Sequence, residues 1–303
     1  MFSNVSNFSN DVDYALAMII GISLFFLVGL TLLMIYFMWR YDHKRNPKAT
    51  DIEGHIGLEV LWTIVPTILV VMMFYYGYSG YLKMRTVPDD AIVIKATGQM
   101  WSWSFEYDNG KVTDTLVVPL DKAVKLNLFS KDVIHSLYIP AFRIKEDMVP
   151  GRDNWMWFIA QQEGTYNILC AEYCGDRHSY MISHVDVLPV EDYEKWYNAK
   201  EKKSDYPGLA LMKNNACMSC HSVDGTRLVG PSFLGIWGRK ETIVLENGVE
   251  KEIAVEREYL LRSLDDPNAE LVKTYGKGMM QSYKDVFTEE EKEQIIDYLK
   301  SLK

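Results

Sequence analysis

Two short stretches of this sequence concentrate side chains that bind metals or react. The first, Cys170-Ala-Glu-Tyr-Cys174-Gly-Asp-Arg-His178-Ser-Tyr-Met181, places two thiols, an imidazole and a thioether close together. His135 lies upstream in DVIHSLYIP, at the end of an expected strand. Soft thiolate and thioether ligands select copper, zinc or iron–sulfur chemistry. Two cysteines on one loop can set both sulfurs between two metals, and a histidine can then terminate each metal. Met181 offers a weak axial contact to one copper, and the Glu172 carbonyl, between the cysteines, can reach the other. Such a site suits one-electron transfer, because shared charge and a rigid β scaffold limit geometric change between oxidation states. A Cys170–Cys174 disulfide in an oxidising compartment is an alternative. So is a zinc site, although zinc rarely recruits methionine.

The second stretch is Cys217-Met-Ser-Cys220-His221, the attachment sequence for a c-type haem. The thiols form thioethers to the porphyrin vinyl groups and His221 becomes the proximal iron ligand. A redox-active Cys-x-x-Cys is the alternative; the adjacent histidine argues against it. Gly-Lys-Gly-Met279-Met280-Gln-Ser-Tyr supplies two candidates for the distal ligand. Methionine raises the haem potential relative to bis-histidine ligation. No histidine follows His221, so a bis-histidine site within this region is excluded. Trp101, Trp103 and Phe105 alternate on one strand face, as core residues do. Glu59 is a carboxylate at the edge of an apolar run, where facing water is its simplest role.

The elements that must carry these residues fall into distinct zones. The chain has 303 residues, 48% hydrophobic and 24% charged, which excludes a disordered chain or a coiled coil. Its net charge of −9, with no basic stripe, makes it a poor nucleic-acid binder. Nearly all the uninterrupted apolar sequence lies at the N-terminal end. The uncharged run Ala15 to Met38 would form roughly 36 Å of helix, enough to span a bilayer core of about 30 Å. A second run extends from about Leu58 to Leu82, with Glu59 at its start and Pro66 in its first turns. The segment between them carries Arg40, Lys44, Arg45 and Lys48, whereas the N-terminal flank carries only Asp11 and Asp13. The connection is therefore expected in the cytoplasm, with both chain ends outside. The first run lacks the basic flank and cleavage site of a signal peptide, so retention as an anchor is expected.

Residues 90–190 change to short alternating runs, AIVIKATG, VTDTLVVP and KLNLF, separated by Asp-Asn-Gly and Pro-Leu-Asp turns. A small Greek-key sandwich is the expectation. A charged helix or linker follows over 191–207. Thr288-Glu-Glu-Glu291 reads as a capping box. The helix it opens would have Ile295, Ile296, Tyr298, Leu299 and Leu302 on its apolar face.

CAEYCGDRHSYM, with His135 upstream, resembles the copper A motif of cytochrome c oxidase subunit II. GLEVLWTIVP, GQMWSWSFEY and EDMVPGR extend the resemblance over about residues 15–195. It implies two anchoring helices (1–89) and a cupredoxin-like copper A domain (90–190). His135, Cys170, Cys174, His178, Met181 and the Glu172 carbonyl would be the ligands of dinuclear copper. The Glu172 side chain would reach a Mg2+ shared with subunit I. It further implies that Trp101 is an exposed tryptophan receiving electrons from soluble cytochrome c, although GQMW stands where GHQW is frequent. Glu59 would lie near the mouth of a proton pathway; His55 beside it has no comparable assignment.

Residues 208–303 resemble a class I cytochrome c, an all-α fold. VGPSFLGIWGR matches its proline segment, so the Pro231 carbonyl would orient His221. The register favours Met280 over Met279, though Gln281 replaces the usual following proline. The whole order resembles the caa3-type form of subunit II. That form implies subunit I and subunit III as partners in a bacterial inner membrane, with cytochrome c or another periplasmic protein as electron donor. Two rivals are a membrane-anchored carrier serving another reductase, and a copper storage or delivery module.

Overall fold

The computed structural model describes residues 4–48, 50–51, 53–199 and 206–302. Ser9–Arg40 forms helix α1 and Ile56–Met84 forms α2. Both are long and apolar enough to cross a membrane. Their large side chains point outward all round, Phe25 and Phe74 among the most exposed. A helix apolar on every face suits lipid rather than water.

The N-terminal segment and both helix ends fasten this hairpin to the next domain. Ser6 bridges Ala160, Asn7 exchanges hydrogen bonds with Ile159, and Phe8 packs edge-on against Trp157. Asp13, fully buried, accepts from Arg143 Nε at 2.8 Å. At the end of α2, Arg85 pairs with Glu146 at 3.0 Å and lies over Trp155. The outer ends of both helices thus meet the β domain, while the basic connection lies at the opposite end of the hairpin.

That domain begins with β1 (Ile92–Gln99), β2 (Ser102–Glu106), β3 (Val112–Thr113), β4 (Leu116–Pro119) and β5 (Ala123–Ser130). It continues with β6 (His135–Ile139), β7 (Ile144–Met148), β8 (Asn154–Ile159), β9 (Gly164–Cys170) and β10 (Ile182–Leu188). Two five-stranded sheets form, ordered β3-β2-β1-β5-β8 and β4-β10-β9-β6-β7. β1 runs parallel to β5 and β4 parallel to β10, so the chain crosses between sheets as a Greek key does. The inner faces bury Ile94, Phe105, Leu126, Leu137 and Ile168 completely. Period-2 alternation sends these residues inward and their polar neighbours outward.

Helix α3 (Val190–Asn198) occupies the first half of the expected linker 191–207. It is not freely solvated: Tyr193 is buried and Trp196 sits 5.0 Å from Tyr107 of the sandwich. Its amphipathic spacing gives it an apolar face that the sheet covers. Part of the expected linker, residues 200–205, lies outside the described residues.

The C-terminal region contains α4 (Pro207–Asn214), α5 (Cys217–Cys220), β11 (Lys240–Leu245), β12 (Glu250–Ala254), α6 (Arg257–Asp265), β13 (Glu270–Val272) and α7 (Glu289–Ser301). α4 crosses α7 at Gly208, where an added Cβ would lie 2.0 Å from the Gln294 carbonyl oxygen. Only glycine permits that approach. The Thr288–Glu291 capping box forms as expected, and Ile295, Ile296, Tyr298 and Leu299 are buried. This helical region also carries an antiparallel sheet, β12-β11-β13, that the expectation of an all-α domain did not include. Asn247-Gly248 makes the hairpin turn, with Gly248 at φ 80°.

Candidate metal centres

The copper-type donors converge at one end of the sandwich. β6 begins at His135 and β9 ends at Cys170; Leu137 pairs with Cys170 in the ladder between them. The β9–β10 loop then carries Cys174, His178 and Met181 back over the same end. Cys170 and Cys174 sulfurs are 3.7 Å apart, too far for a disulfide bond. His135 Nδ1 lies 3.9 Å from the Cys170 sulfur, and His178 Nδ1 3.5 Å from that of Cys174. The Glu172 carbonyl is 3.2 Å from the Cys170 sulfur, and the Met181 sulfur 3.8 Å from that of Cys174. His135, Cys174 and Met181 are buried. Every donor expected of the loop is therefore present in one cluster, a set whose softness fits copper.

Electrostatics prepare this cluster for a cation. Burial raises the Cys170 thiol, but hydrogen bonds to His135 and to the Ser136 and Glu172 backbones outweigh it and bring the thiol down to about 6. Burial and the facing Cys170 charge push Cys174 up to about 12. The pair readily gives up one proton, and a bound cation is needed to hold both sulfurs as thiolates. Asp132 Oδ1 lies 2.8 Å from His135 Nε2, leaving Nδ1 aimed at the sulfurs. Burial disfavours a charged His135; the Asp132 carboxylate overrides this and raises it to about 9. Asp132 also accepts the Met100 N–H at 2.7 Å.

The haem-type residues line a cavity of about 240 Å³ in the C-terminal region. Cys217, Cys220 and His221 form one wall, with Met279 and Met280 also on its lining. His221 Nδ1 bonds the Pro231 carbonyl at 2.8 Å, and its ring stacks on Phe233. Burial lowers the imidazole from its ordinary value, which favours the neutral form that ligates metals. An added Cβ at Gly230 would lie 2.4 Å from His221 Cε1, so glycine is required beside the ring. Met280 packs with the apolar core of this region, whereas Met279 packs against the core of the sandwich. The attachment cysteines, the oriented histidine and the apolar cavity fit a covalent haem.

Family models match three parts of the chain. Cytochrome C oxidase subunit II, transmembrane domain, matches residues 4–79. Cytochrome C oxidase subunit II, periplasmic domain, matches 109–188, and Cytochrome c matches 207–303. Cytochrome c oxidase subunit 2 of Alkalihalophilus pseudofirmus is 31% identical over 94% of this chain and 86% of its own length. The chain belongs to the cytochrome c oxidase subunit II family. Its counterpart from Cereibacter sphaeroides is 30% identical over 60% of this chain and 72% of its own. The crystal structure of the periplasmic domain of subunit II of cytochrome oxidase from Bradyrhizobium japonicum is 35% identical. It covers 37% of this chain and 94% of that one, with a TM-score of 0.35.

This subunit II is thus part of an oxidase enzyme, membrane-anchored, with a periplasmic domain and a fused cytochrome c domain, and it serves electron transfer. Its two domain types imply copper A and haem c. All the copper-site residues fall within the periplasmic match and the haem residues within the cytochrome match. Trp101 precedes the periplasmic match and is only 4% exposed, in contrast to the exposed tryptophan expected from the resemblance. Its indole donates to the Cys174 carbonyl at 3.1 Å, and the ring lies under Gly175. Trp103 and Phe105 are core residues, as their alternation predicts. Glu59 stands apart from both centres in the first turn of α2, at the end of the hairpin away from the β domain. Its Oε1 accepts the His55 N–H at 3.4 Å while His55 Nδ1 accepts from Leu58. The carboxylate therefore contributes to capping as well as facing water.

Asp132, Gly230 and the N-terminal clamp escaped the sequence reading. An acidic residue three positions before a ligand histidine was the available signal for Asp132.

Proposed function

We propose that this chain is the electron-input subunit of a proton-pumping, caa3-type cytochrome c oxidase in a bacterial inner membrane. Cys217 and Cys220 would hold haem c covalently, with His221 and Met280 supplying the donors to its iron. His135, Cys170, Cys174, His178, Met181 and the Glu172 carbonyl would hold dinuclear copper A. These groups supply reversible one-electron chemistry when bound. The Pro231 carbonyl and the Asp132 carboxylate orient the proximal and terminal histidines through their second nitrogens. Electrons from cytochrome c or another periplasmic donor pass to haem c, then copper A, then haem a of subunit I, where oxygen is reduced to water. Subunit I and subunit III are the membrane partners, and the exposed Glu172 side chain faces a Mg2+ shared with subunit I.

The observation that carries this reading is the common wall of the two centres. Gln99, Met100 and Asp132 of the sandwich line the haem-type cavity, and Trp101 beside them bonds the Cys174 carbonyl. A tethered donor of this kind reaches an effective concentration of up to about millimolar. The test mixes reduced soluble cytochrome c rapidly with the oxidised, purified complex and follows haem c and copper A separately. Haem c is expected to be reduced first, and His221→Ala should slow copper A reduction while near-infrared copper absorption persists. Copper A reduction at the unaltered rate in that variant would restore direct delivery to the copper domain. Metal analysis of the isolated soluble fragment of this chain should give two coppers beside one haem iron, and haem extracted from the whole complex should include haem a. Their absence favours a carrier or a copper-storage module.

A further inference from the structure

The sandwich residues that line the haem-type cavity, Gln99, Met100 and Asp132, are not among the expected copper donors. The turn between β1 and β2 carries Met100 and Trp101. Asp132 holds the Met100 N–H from the same side that it holds His135. The Met100 side chain is half-buried against the sandwich core and forms part of the wall of the cavity that Cys217, Cys220 and His221 line. Tyr283 of the cytochrome domain and the neighbouring Gln99 line the same cavity.

On the other flank of Trp101, Met218 and Ser219, the two residues between the attachment cysteines, share a cleft with Trp101, Trp103 and Arg177. Cys220, Val229 and Met279 pack against the sandwich core. Residues of the cytochrome domain therefore border the cleft that Trp101 lines, and the indole is only 4% exposed.

We propose that Met100 is the contact at which haem c passes its electron to the copper domain, with Trp101 as the internal link to Cys174. The inference rests on the haem c to copper A order given above. One electron leaves ferrous haem iron, which becomes ferric, and reduces the oxidised copper pair by one electron. No bond breaks and no proton moves. The path is Met100, the adjoining Trp101, then the indole N–H to the Cys174 carbonyl. A polarizable thioether at the first contact suits close approach to an aromatic macrocycle.

Two measurements on the full chain, loaded with copper and haem in detergent, test the assignment. The first labels methionine methyl groups with carbon-13 and assigns Met100 by Met100→Leu. In the reduced, diamagnetic haem state the Met100 methyl should show a large ring-current shift. A methyl at the ordinary methionine position overturns the contact. The second reduces haem c with a photoexcited ruthenium complex and follows electron arrival at copper A. Met100→Ala should slow arrival several-fold with the haem c and copper A spectra unchanged, and Met100→Leu should restore most of the rate. An unaltered rate in Met100→Ala overturns the bridge. If haem c fails to reduce copper A even in the unaltered chain, the proposed electron order fails instead.

Discussion

The copper centre and the haem centre are built on opposite principles. The copper donors sit at the ends of β6 and β9 and on one loop, above a continuous apolar core that needs no metal to close it. The haem-type residues line a cavity of about 240 Å³ between the apolar core of their own domain and Gln99, Met100 and Asp132 of the sandwich. A bound haem would cover the apolar side chains on that lining, a gain of about 25 cal/mol per Å² of apolar surface removed from water. Copper is a guest in a finished fold, whereas haem completes the fold that receives it.

The largest expected effect follows from this contrast. Replacing both attachment cysteines, Cys217→Ala with Cys220→Ala, should abolish haem binding and unfold the cytochrome domain. The sandwich should keep its copper and its near-infrared absorption. Limited proteolysis with mass spectrometry of the fragments checks the prediction. A protease-resistant cytochrome domain without haem would remove the distinction between the centres.

The copper side should respond differently. Cys174→Ser removes a thiolate that no neighbour replaces, so copper A should be lost while the sandwich still melts cooperatively and haem c stays attached. Asp132→Asn keeps the shape but weakens the hold on His135, and copper affinity should fall about 10–100-fold. Copper titration against a competing chelator, alongside thermal melting, measures both. Collapse of the sandwich in Cys174→Ser would show that copper, too, is part of the fold.

The same contrast governs what could be read from the residues alone. The clustering of the candidate copper donors was legible because four of them, Cys170, Cys174, His178 and Met181, lie within one short stretch, and their softness narrows the metal. The haem attachment was legible because covalent chemistry demands a fixed local spacing. Long-range partners leave no such mark: nothing near Asp13 announces Arg143, and nothing near Gly208 announces α7. The β11–β12 hairpin did carry an Asn-Gly signal, which expectation of an all-α domain overrode. Burial of Trp101 involves the copper loop, through the Cys174 carbonyl and Gly175, and an alternating strand pattern cannot reveal that cover.

A subtler effect separates the two adjacent methionines. Met280 faces the cytochrome core and Met279 the sandwich. Met280→Ala should remove the methionine-to-iron charge-transfer absorption and lower the haem potential. Met279→Ala should retain that absorption and disturb only domain packing. Visible spectra with redox titration decide the register, and unchanged spectra in Met280→Ala would reverse it.

The smallest effect on either centre is expected from Glu59, which lies in the first turn of α2. At about 1.5 Å of rise per residue, roughly 38 Å of helix separates it from the end that meets the copper domain. Its carboxylate has two candidate jobs, capping α2 through the His55 N–H and collecting protons at the cytoplasmic face. Glu59→Gln separates them, because the amide oxygen still accepts the capping bond while the titrating group is gone. Glu59→Ala removes both, at a cost to the helix of about 1 kcal/mol, the scale of a lost cap. If proton collection is the role, Gln and Ala should slow proton-coupled turnover in reconstituted vesicles alike, with haem c to copper A transfer unchanged. If capping is the role, Gln should behave as the unaltered protein and only Ala should differ. Normal proton uptake in Glu59→Gln would therefore leave the carboxylate as a structural cap and move the proton inlet to another subunit.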